Sequence, residues 1–225
     1  MFKNYFTVAL RNFRRNKIFS SINVLGLSIG ISASLVIFLI VYFELSFDKF
    51  EKDGERIFRV VVDSKFNGDV GHGPAVPAPL SSAIQNEISG VEASIPVMQF
   101  QGDATARVTI GSNNPVKPAV YKHQEDIVFT TNEYFQLLPF QWIAGSPQTA
   151  LTEPFSVVIT ERRAKQYFPE ISLSDVPGKQ ITYNDDLKVT VTGIVKDLNE
   201  HTDFTSEEFI SFPTIEKTNL QKQFM

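Results

Sequence analysis

Along the first 17 residues, apolar side chains recur at intervals of three and four positions, with polar and basic side chains between them. The apolar positions are Phe2, Phe6, Ala9, Leu10 and Phe13. The basic positions toward the end of the segment are Arg11, Arg14, Arg15 and Lys17. This spacing is typical of a helix with one apolar face. It predicts an amphipathic helix over residues 1–17 that lies in the membrane interface, either as the charged flank of an anchor or as a docking element for a cytoplasmic partner.

A long apolar run follows this segment. Residues 18–43 form 26 consecutive positions without a charged side chain, whereas a bilayer core of about 30 Å needs roughly 20 helical residues. A secretion signal has a shorter apolar region and small residues before its cleavage site. This run instead ends in the bulky Tyr42 and Phe43, which suit the membrane interface. We therefore predict a retained transmembrane helix over residues 18–46.

Charge is distributed unevenly about this span. Residues 1–43 carry five basic and no acidic side chains, and the remainder carries 16 basic and 25 acidic side chains. The positive-inside rule places the N-terminus in the cytoplasm and residues 47–225 outside it. An acidic body also argues against nucleic acid as a partner, because phosphate contacts require clustered Lys and Arg.

Beyond the span, short alternating and β-branched segments replace the apolar run and predict a strand-rich α+β body. The predicted strands lie at 56–66, at three or four places within 91–130, at 155–159, on both sides of a turn at 184–186, and within 207–215. Helices are predicted at 80–88, as a short turn within 132–147, and after a capping Thr160. The Gly- and Pro-rich segment 68–79 is predicted to be a loop.

Inside the span, small residues recur every fourth position, at Gly26, Gly30 and Ser34. Residues four apart share one helix face, so this set predicts a flat face on which another membrane helix can pack closely. The other interpretation is composition alone, because Gly is common in membrane helices and the motif is short.

The sequence offers little that could perform catalysis. There is no Cys, and the three histidines, His72, His123 and His201, are widely separated. No phosphate-binding loop, dinucleotide fingerprint or zinc-peptidase motif is present. The acidic pairs Asp185–Asp186 and Glu207–Glu208 are predicted to lie on solvated faces. We therefore expect neither an enzyme nor a bound cofactor or metal.

Several blocks, in order, resemble MacB/FtsX-type ABC transporter permeases. These blocks are ALRNFRRNK at 9–17, the span with Asn23, Gly26, Leu27 and Gly30, Glu44 with Ser46, Phe47 and Asp48, RIFRV at 56–60, and the segments 132–151, 156–169 and 178–198. The resemblance implies a two-lobed periplasmic core domain over residues 47–225, with residues 91–150 in an inserted lobe. The family continues into further spans, so the chain is expected to be either an N-terminal fragment of such a permease or a truncated gene product.

The resemblance also implies a mechanism and partners. The first span would relay motion from a cytoplasmic ABC ATPase to the periplasmic domain, for efflux or handling of substrates outside the inner membrane. The expected partners are that ATPase, membrane lipids, a second permease subunit in a homodimer or heterodimer, and a periplasmic or outer-membrane protein. The alternative function is a single-pass, membrane-anchored periplasmic binding or adaptor module.

Overall fold

The computed structural model describes residues 2–50, 53–66, 69–100, 105–111 and 118–218. It divides into two compact units, residues 1–49 and residues 50–225. The first unit is helical. Helix α1 is Phe2–Arg15 and helix α2 is Lys17–Glu44. Asn16 separates them with non-helical backbone angles, φ −116° and ψ 59°.

Helix α2 confirms the predicted long apolar helix. It has 28 residues, which at about 1.5 Å per residue gives roughly 42 Å, more than a bilayer core. Of the helices in the described residues, α2 alone is long and apolar enough to cross a membrane. None of its side chains is buried within the chain. Its apolar surface therefore has no cover in the described chain, as expected for a helix surrounded by lipid or by other helices.

The second unit is built from eleven strands and four helices in its described part. The strands are β1 Val62–Phe66, β2 Asp69–Gly73, β3 Met98–Gln99, β4 Ala106–Ile110, β5 Ala119–Gln124, β6 Ile127–Thr130, β7 Trp142–Ala144, β8 Ser156–Thr160, β9 Gln180–Tyr183, β10 Leu187–Val195 and β11 Glu208–Ser211. The helices are α3 Leu80–Glu87, α4 Tyr134–Leu137, α5 Glu161–Tyr167 and α6 Pro213–Lys217. Two short 3₁₀ turns lie at Gly54–Arg56 and Leu173–Asp175. This composition confirms the α+β class.

Nine strands form one mixed sheet, and β1 and β2 form a separate antiparallel hairpin. The order along the large sheet is β3-β6-β11-β8-β10-β9-β4-β5, with β7 also paired to β10. Strand β10 pairs parallel with β8 and antiparallel with β9 and β7. Strand β11 pairs antiparallel with β8 and parallel with β6.

The central strands are buried on both faces. On β8, Val157 and Ile159 belong to one hydrophobic cluster, and Val158 between them belongs to the other. Helix α5 contributes Ala164 and Tyr167 to the first cluster, and α4 contributes aromatic rings to the second. Because successive strand residues point to opposite faces, a strand covered on both sides needs a continuous apolar run. The sequence VVI at 157–159 meets that requirement.

The backbones of β7 and β10 lie unusually close together. A Cβ on Gly193 would lie 2.6 Å from Trp142 Cζ3, and a Cβ on Gly145 would lie 2.5 Å from the Thr192 carbonyl oxygen. Gly145 also has φ +87°, a conformation that favours glycine. Glycine at these two positions is therefore what allows β7 to pair where β10 has a register irregularity.

Most predicted elements of the body are confirmed, with three differences. The segment predicted as a strand at 56–66 begins with a 3₁₀ turn and is β-strand from Val62. The segment predicted as a loop contains β2, because the chain turns back after β1 and β2 pairs antiparallel with it. Val62 lies opposite Gly73 at one end of this hairpin, and Phe66 lies opposite Asp69 at the other. The connection after α4 contains the three-residue β7. The turn signals within 91–130 predict strand breaks at Gly102 and at 111–115; of these positions only Gly111 is described, and it follows the end of β4.

Strands of the proposed inserted lobe, residues 91–150, share the large sheet with the rest of the body. Strand β4 pairs with β9, and β6 pairs with β11. The apolar residues of β4 and β6 also enter the same core as those of β8 and β10. The large sheet therefore does not set residues 91–150 apart, and the two-lobed division stays a prediction.

Candidate functional site

The predicted packing face of the span lies on α2. Gly26, Gly30 and Ser34 occupy successive turns of this helix, so the sequence spacing does place them on one face. A Cβ built on either glycine would meet nothing within 4 Å. No described part of this chain occupies the face, and its use as a contact for another helix stays a prediction.

The predicted basic residues lie at the end of α1 and the start of α2. Arg11, Arg14, Arg15 and Lys17 are all exposed. The helical arrangement of this segment agrees with the prediction. The side chains that would form its apolar face lie outside the described part of the structure, namely Phe2, Phe6, Ala9, Leu10 and Phe13.

In the second unit, helix α5 positions a buried cation over the sheet. Thr160 caps the helix as predicted, because its hydroxyl accepts a hydrogen bond from the Arg163 backbone N–H at 3.4 Å. Arg163 is 8% exposed. Its Nε lies 2.6 Å from Glu207 Oε2 and 3.2 Å from Glu208 Oε1, at the start of β11. The guanidinium thus joins α5 to two consecutive carboxylates of a central strand.

The rest of the guanidinium holds the turn between β5 and β6. One terminal nitrogen donates to the Glu125 carbonyl oxygen at 2.7 Å, and the other donates to the Gln124 side chain. Gln124 in turn donates to the Lys122 carbonyl oxygen at 3.0 Å. Arg163 therefore connects α5, β11 and the end of β5 through one side chain.

Two tyrosines complete the surroundings of Glu208. The Tyr167 hydroxyl donates to Glu208 Oε1 at 2.6 Å, and the Tyr183 hydroxyl donates to Glu208 Oε2. Glu208 has no exposed surface. We call Arg163, Tyr167, Tyr183, Glu207 and Glu208 the buried polar cluster. Each carboxylate oxygen of Glu208 has a hydroxyl donor, which offsets part of the cost of burying it.

Burial controls the titration of this cluster. It raises the pKa of Glu208 above its ordinary value, and Arg163 and the two tyrosine hydroxyls oppose the shift. Burial, followed by the neighbouring Glu208 charge, raises the pKa of Tyr167 and Tyr183 far above the usual range. Both phenols therefore remain protonated donors at physiological pH.

The prediction that Glu207 and Glu208 lie on a solvated face is wrong. Two adjacent acids in a polar sequence carry no sign of burial by themselves. The signal that could have found the cluster is in α5, where Arg163, Ala164 and Tyr167 fall on the helix face that the apolar pattern assigns to the core. A basic residue at that face needs a buried acidic partner.

The histidines do not meet in the described residues. His72 Nδ1 lies 2.6 Å from Asp63 Oδ1 in the β1–β2 hairpin, and His123 Nδ1 lies 3.2 Å from the Thr105 hydroxyl. No group of three or more His, Asp or Glu side chains suited to a metal ion occurs in the described part of the chain.

The fold and the sequence were compared with known proteins. The family described as "MacB-like periplasmic core domain" matches residues 20–224. The chain belongs to this family. The match begins inside α2 and continues through the second unit, so membership covers both the candidate span and the sheet domain. A search of curated proteins gave no significant match.

Two solved structures are similar to this MacB-like chain. One is a domain of a candidate permease from Porphyromonas gingivalis, with 20% identity, a TM-score of 0.49, and coverage of 64% of this chain and 56% of that one. The other is the periplasmic region of MacB from Actinobacillus actinomycetemcomitans, with 14% identity, a TM-score of 0.44, and coverage of 61% and 56%. The matched region therefore spans little more than half the length of either solved relative.

Proposed function

We propose that the chain acts in a permease subunit of a MacB/FtsX-type ABC transporter. Its first span would carry motion from a cytoplasmic ATPase to the extracytoplasmic domain, which acts on substrates outside the inner membrane. The observation that carries this proposal is the family match over residues 20–224, which includes most of the apolar helix as well as the domain. The chain's lack of catalytic motifs accords with a subunit that depends on a separate ATPase.

The connection between helix and domain supports a mechanical role. Helix α2 ends at Glu44 and the second compact unit begins at Phe50, so five residues lie between them. Phe50 packs against the hydrophobic cluster that includes α4, Val158 and Phe209. Displacement of the span's outer end would therefore reach the core of the domain through a short covalent link.

The charge pattern supports an orientation. Five basic and no acidic side chains precede or begin the span, and the acidic part of the chain follows it. By the positive-inside rule, α1 lies at the cytoplasmic surface and residues 47–225 lie in the periplasm. The small-residue face of α2 would then pack against a helix of a second permease subunit, in a homodimer or heterodimer.

Single cysteines test this topology, since the chain has no native Cys. We expect Glu170→Cys to react with a membrane-impermeant maleimide in intact spheroplasts. Asn12→Cys, which is also exposed, should react only after permeabilisation. The reverse labelling pattern, or a mature protein lacking the residues before Glu44, would contradict the proposal.

A second experiment separates the permease from the anchored adaptor module. Leu45→Cys places a thiol just beyond α2, where two copies in a permease dimer can form a disulfide. In native membranes we expect ATP with vanadate to change the cross-linking yield relative to ADP. A yield that does not respond to nucleotide would favour the adaptor module. Glu170→Cys, which lies far from Leu45 in the sequence, serves as the control thiol.

A further inference from the structure

A shallow groove lies among the outer strands of the large sheet. It is lined by β4, by the end of β5 and by the turn between β9 and β10, through Thr105, Arg107, Lys122, His123, Asn184 and Asp185. Ala106 also lines the groove and belongs to the hydrophobic core, whereas the six polar or charged side chains do not. Core packing therefore does not explain these six side chains.

The backbone around the groove is irregular in a way that turns side chains toward it. The pairing of β4 with β5 changes register between Ala106 and Val108, and His123 opposite this point has φ 56°. A β-bulge of this kind redirects a side chain and is common next to binding sites. The Thr105 hydroxyl lies 3.2 Å from His123 Nδ1. This contact orients the imidazole.

The opposite wall is held in place by hydrogen bonds. The Arg107 N–H donates to Asn184 Oδ1 at 2.7 Å, and the Asn184 N–H donates to the Arg107 carbonyl oxygen at 2.8 Å. Asn184 and Asp185 both have positive φ, 48° and 63°, as a tight hairpin turn requires. The Arg107 guanidinium also contacts Asp185 Oδ2 at 2.6 Å. The donors on this wall are thus positioned before any ligand arrives.

The charge of the lining differs from that of the body. Residues 44–225 carry nine more acidic than basic side chains, whereas the groove has two cations, Arg107 and Lys122, and one carboxylate, Asp185. Asp185 Oδ2 already contacts one terminal nitrogen of the Arg107 guanidinium. Lys122 and His123 come from a different strand, β5, and Thr105 from just before β4. A tetrahedral oxyanion matches that arrangement better than a second carboxylate.

We propose that this groove binds a phosphate group, with Lys122 and Arg107 supplying charge and His123 donating a hydrogen bond. The site is independent of the proposed transport function. The lining keeps an excess of positive charge, because Arg107 and Lys122 outnumber the one carboxylate, Asp185, and this excess attracts a doubly charged anion.

The three histidines of the chain provide the measurement. With 13Cε1-labelled histidine, the full-length chain in non-ionic detergent gives three ring resonances, from His72, His123 and His201. Inorganic phosphate is added at fixed pH and constant ionic strength. We expect a saturable shift of the His123 resonance, with the other two resonances as internal controls. A response absent at His123, or equal at all three, would overturn the proposal.

Two variants with opposite expected effects sharpen the test. Lys122→Ala should weaken phosphate binding about tenfold, through the loss of one charge-assisted contact. Asp185→Asn should strengthen it several-fold by removing the competing carboxylate. Lys65→Ala, in the separate β1–β2 hairpin, should leave binding unchanged. Equal affinity in all three variants and the parent chain would contradict the assignment of the site.

A second ligand separates the two sources of a phosphate group. Glycerol 3-phosphate offers the same group as an ester. Tighter binding of the ester than of inorganic phosphate would assign the groove to a phosphate carried on a larger molecule. Equal or weaker binding of the ester would assign it to the free anion. Binding of neither would overturn the proposal.

Discussion

Replacing Arg163 with methionine removes the cation that holds the buried polar cluster together. The change keeps an unbranched side chain of moderate length but leaves Glu208, with no exposed surface, and Glu207, 5% exposed, without the guanidinium that contacts both. It also removes the hydrogen bond to the Glu125 carbonyl oxygen at 2.7 Å. Removing one partner from a buried ion pair costs about 3–5 kcal/mol, because the other charge remains buried and uncompensated.

This cost is large relative to the stability of the domain. Natural domains have a free energy of unfolding of about 5–15 kcal/mol, so Arg163→Met should remove a substantial fraction of that free energy. For a domain of this size, each kcal/mol lowers the melting temperature by roughly 2–4 °C. We therefore expect the melting temperature of the detergent-solubilised chain, followed by near-ultraviolet circular dichroism, to fall by roughly 6–20 °C.

A lysine on the same helix provides a matched control. The Lys165 side chain is 64% exposed and pairs with Glu161 one turn earlier in α5. Exposed ion pairs contribute less than about 1 kcal/mol, so Lys165→Met should lower the melting temperature only slightly. Adding Glu208→Gln to Arg163→Met should recover part of the loss, because it removes a buried charge. An Arg163→Met protein that melts like the parent chain would refute the assigned role of the cluster.

Three further predictions concern pH, packing and the span. Because burial raises the pKa of Glu208, its contribution to stability is fully present below about pH 4.5 and is lost as pH rises through the raised value; melting curves across this range should show the loss. Gly193→Ala should cost about 1–3 kcal/mol in the same assay, because its Cβ would lie 2.6 Å from Trp142 Cζ3. Gly26→Leu with Gly30→Leu should weaken self-association of the span, measured by cross-linking in membranes, because the added bulk separates the helix backbones.

Each of these three predictions has a control within the chain. Glu208→Gln should flatten the dependence of the melting temperature on pH; an unchanged slope would assign that dependence to other groups. Gly111→Ala should be neutral, because a Cβ there meets nothing within 4 Å. Ser28→Leu adds bulk about 200° around α2 from Gly26 and should leave self-association intact. If both leucine variants behave alike, the glycines do not form a packing face.

The elements best predicted from sequence were those with local signals. The strand β8, the Thr160 cap and the helix α5 follow from a β-branched run, a capping hydroxyl and helical spacing, all within 156–167. The long helix α2 follows from the absence of charge over 18–43. In each case the residues that decide the structure are neighbours in the chain.

The parts that were missed depend on distant contacts. Strand β7 has three residues, too few to show a period, and forms because Gly193 lets Trp142 approach β10. The burial of Glu208 depends on Arg163 and on two tyrosines from other elements, so its own sequence neighbours could not show it. The bulge that turns His123 into the groove is likewise set by pairing with β4.

The central claim, that this chain is part of an ABC transporter permease, is tested most directly by isolating the protein from its own membranes. The full-length native protein would be purified in mild detergent through an affinity tag and its partners quantified by mass spectrometry. We predict near-stoichiometric recovery of an ABC ATPase, and ATP hydrolysis by the purified complex. Recovery of the intact protein with no ATPase and no nucleotide hydrolysis would contradict the claim.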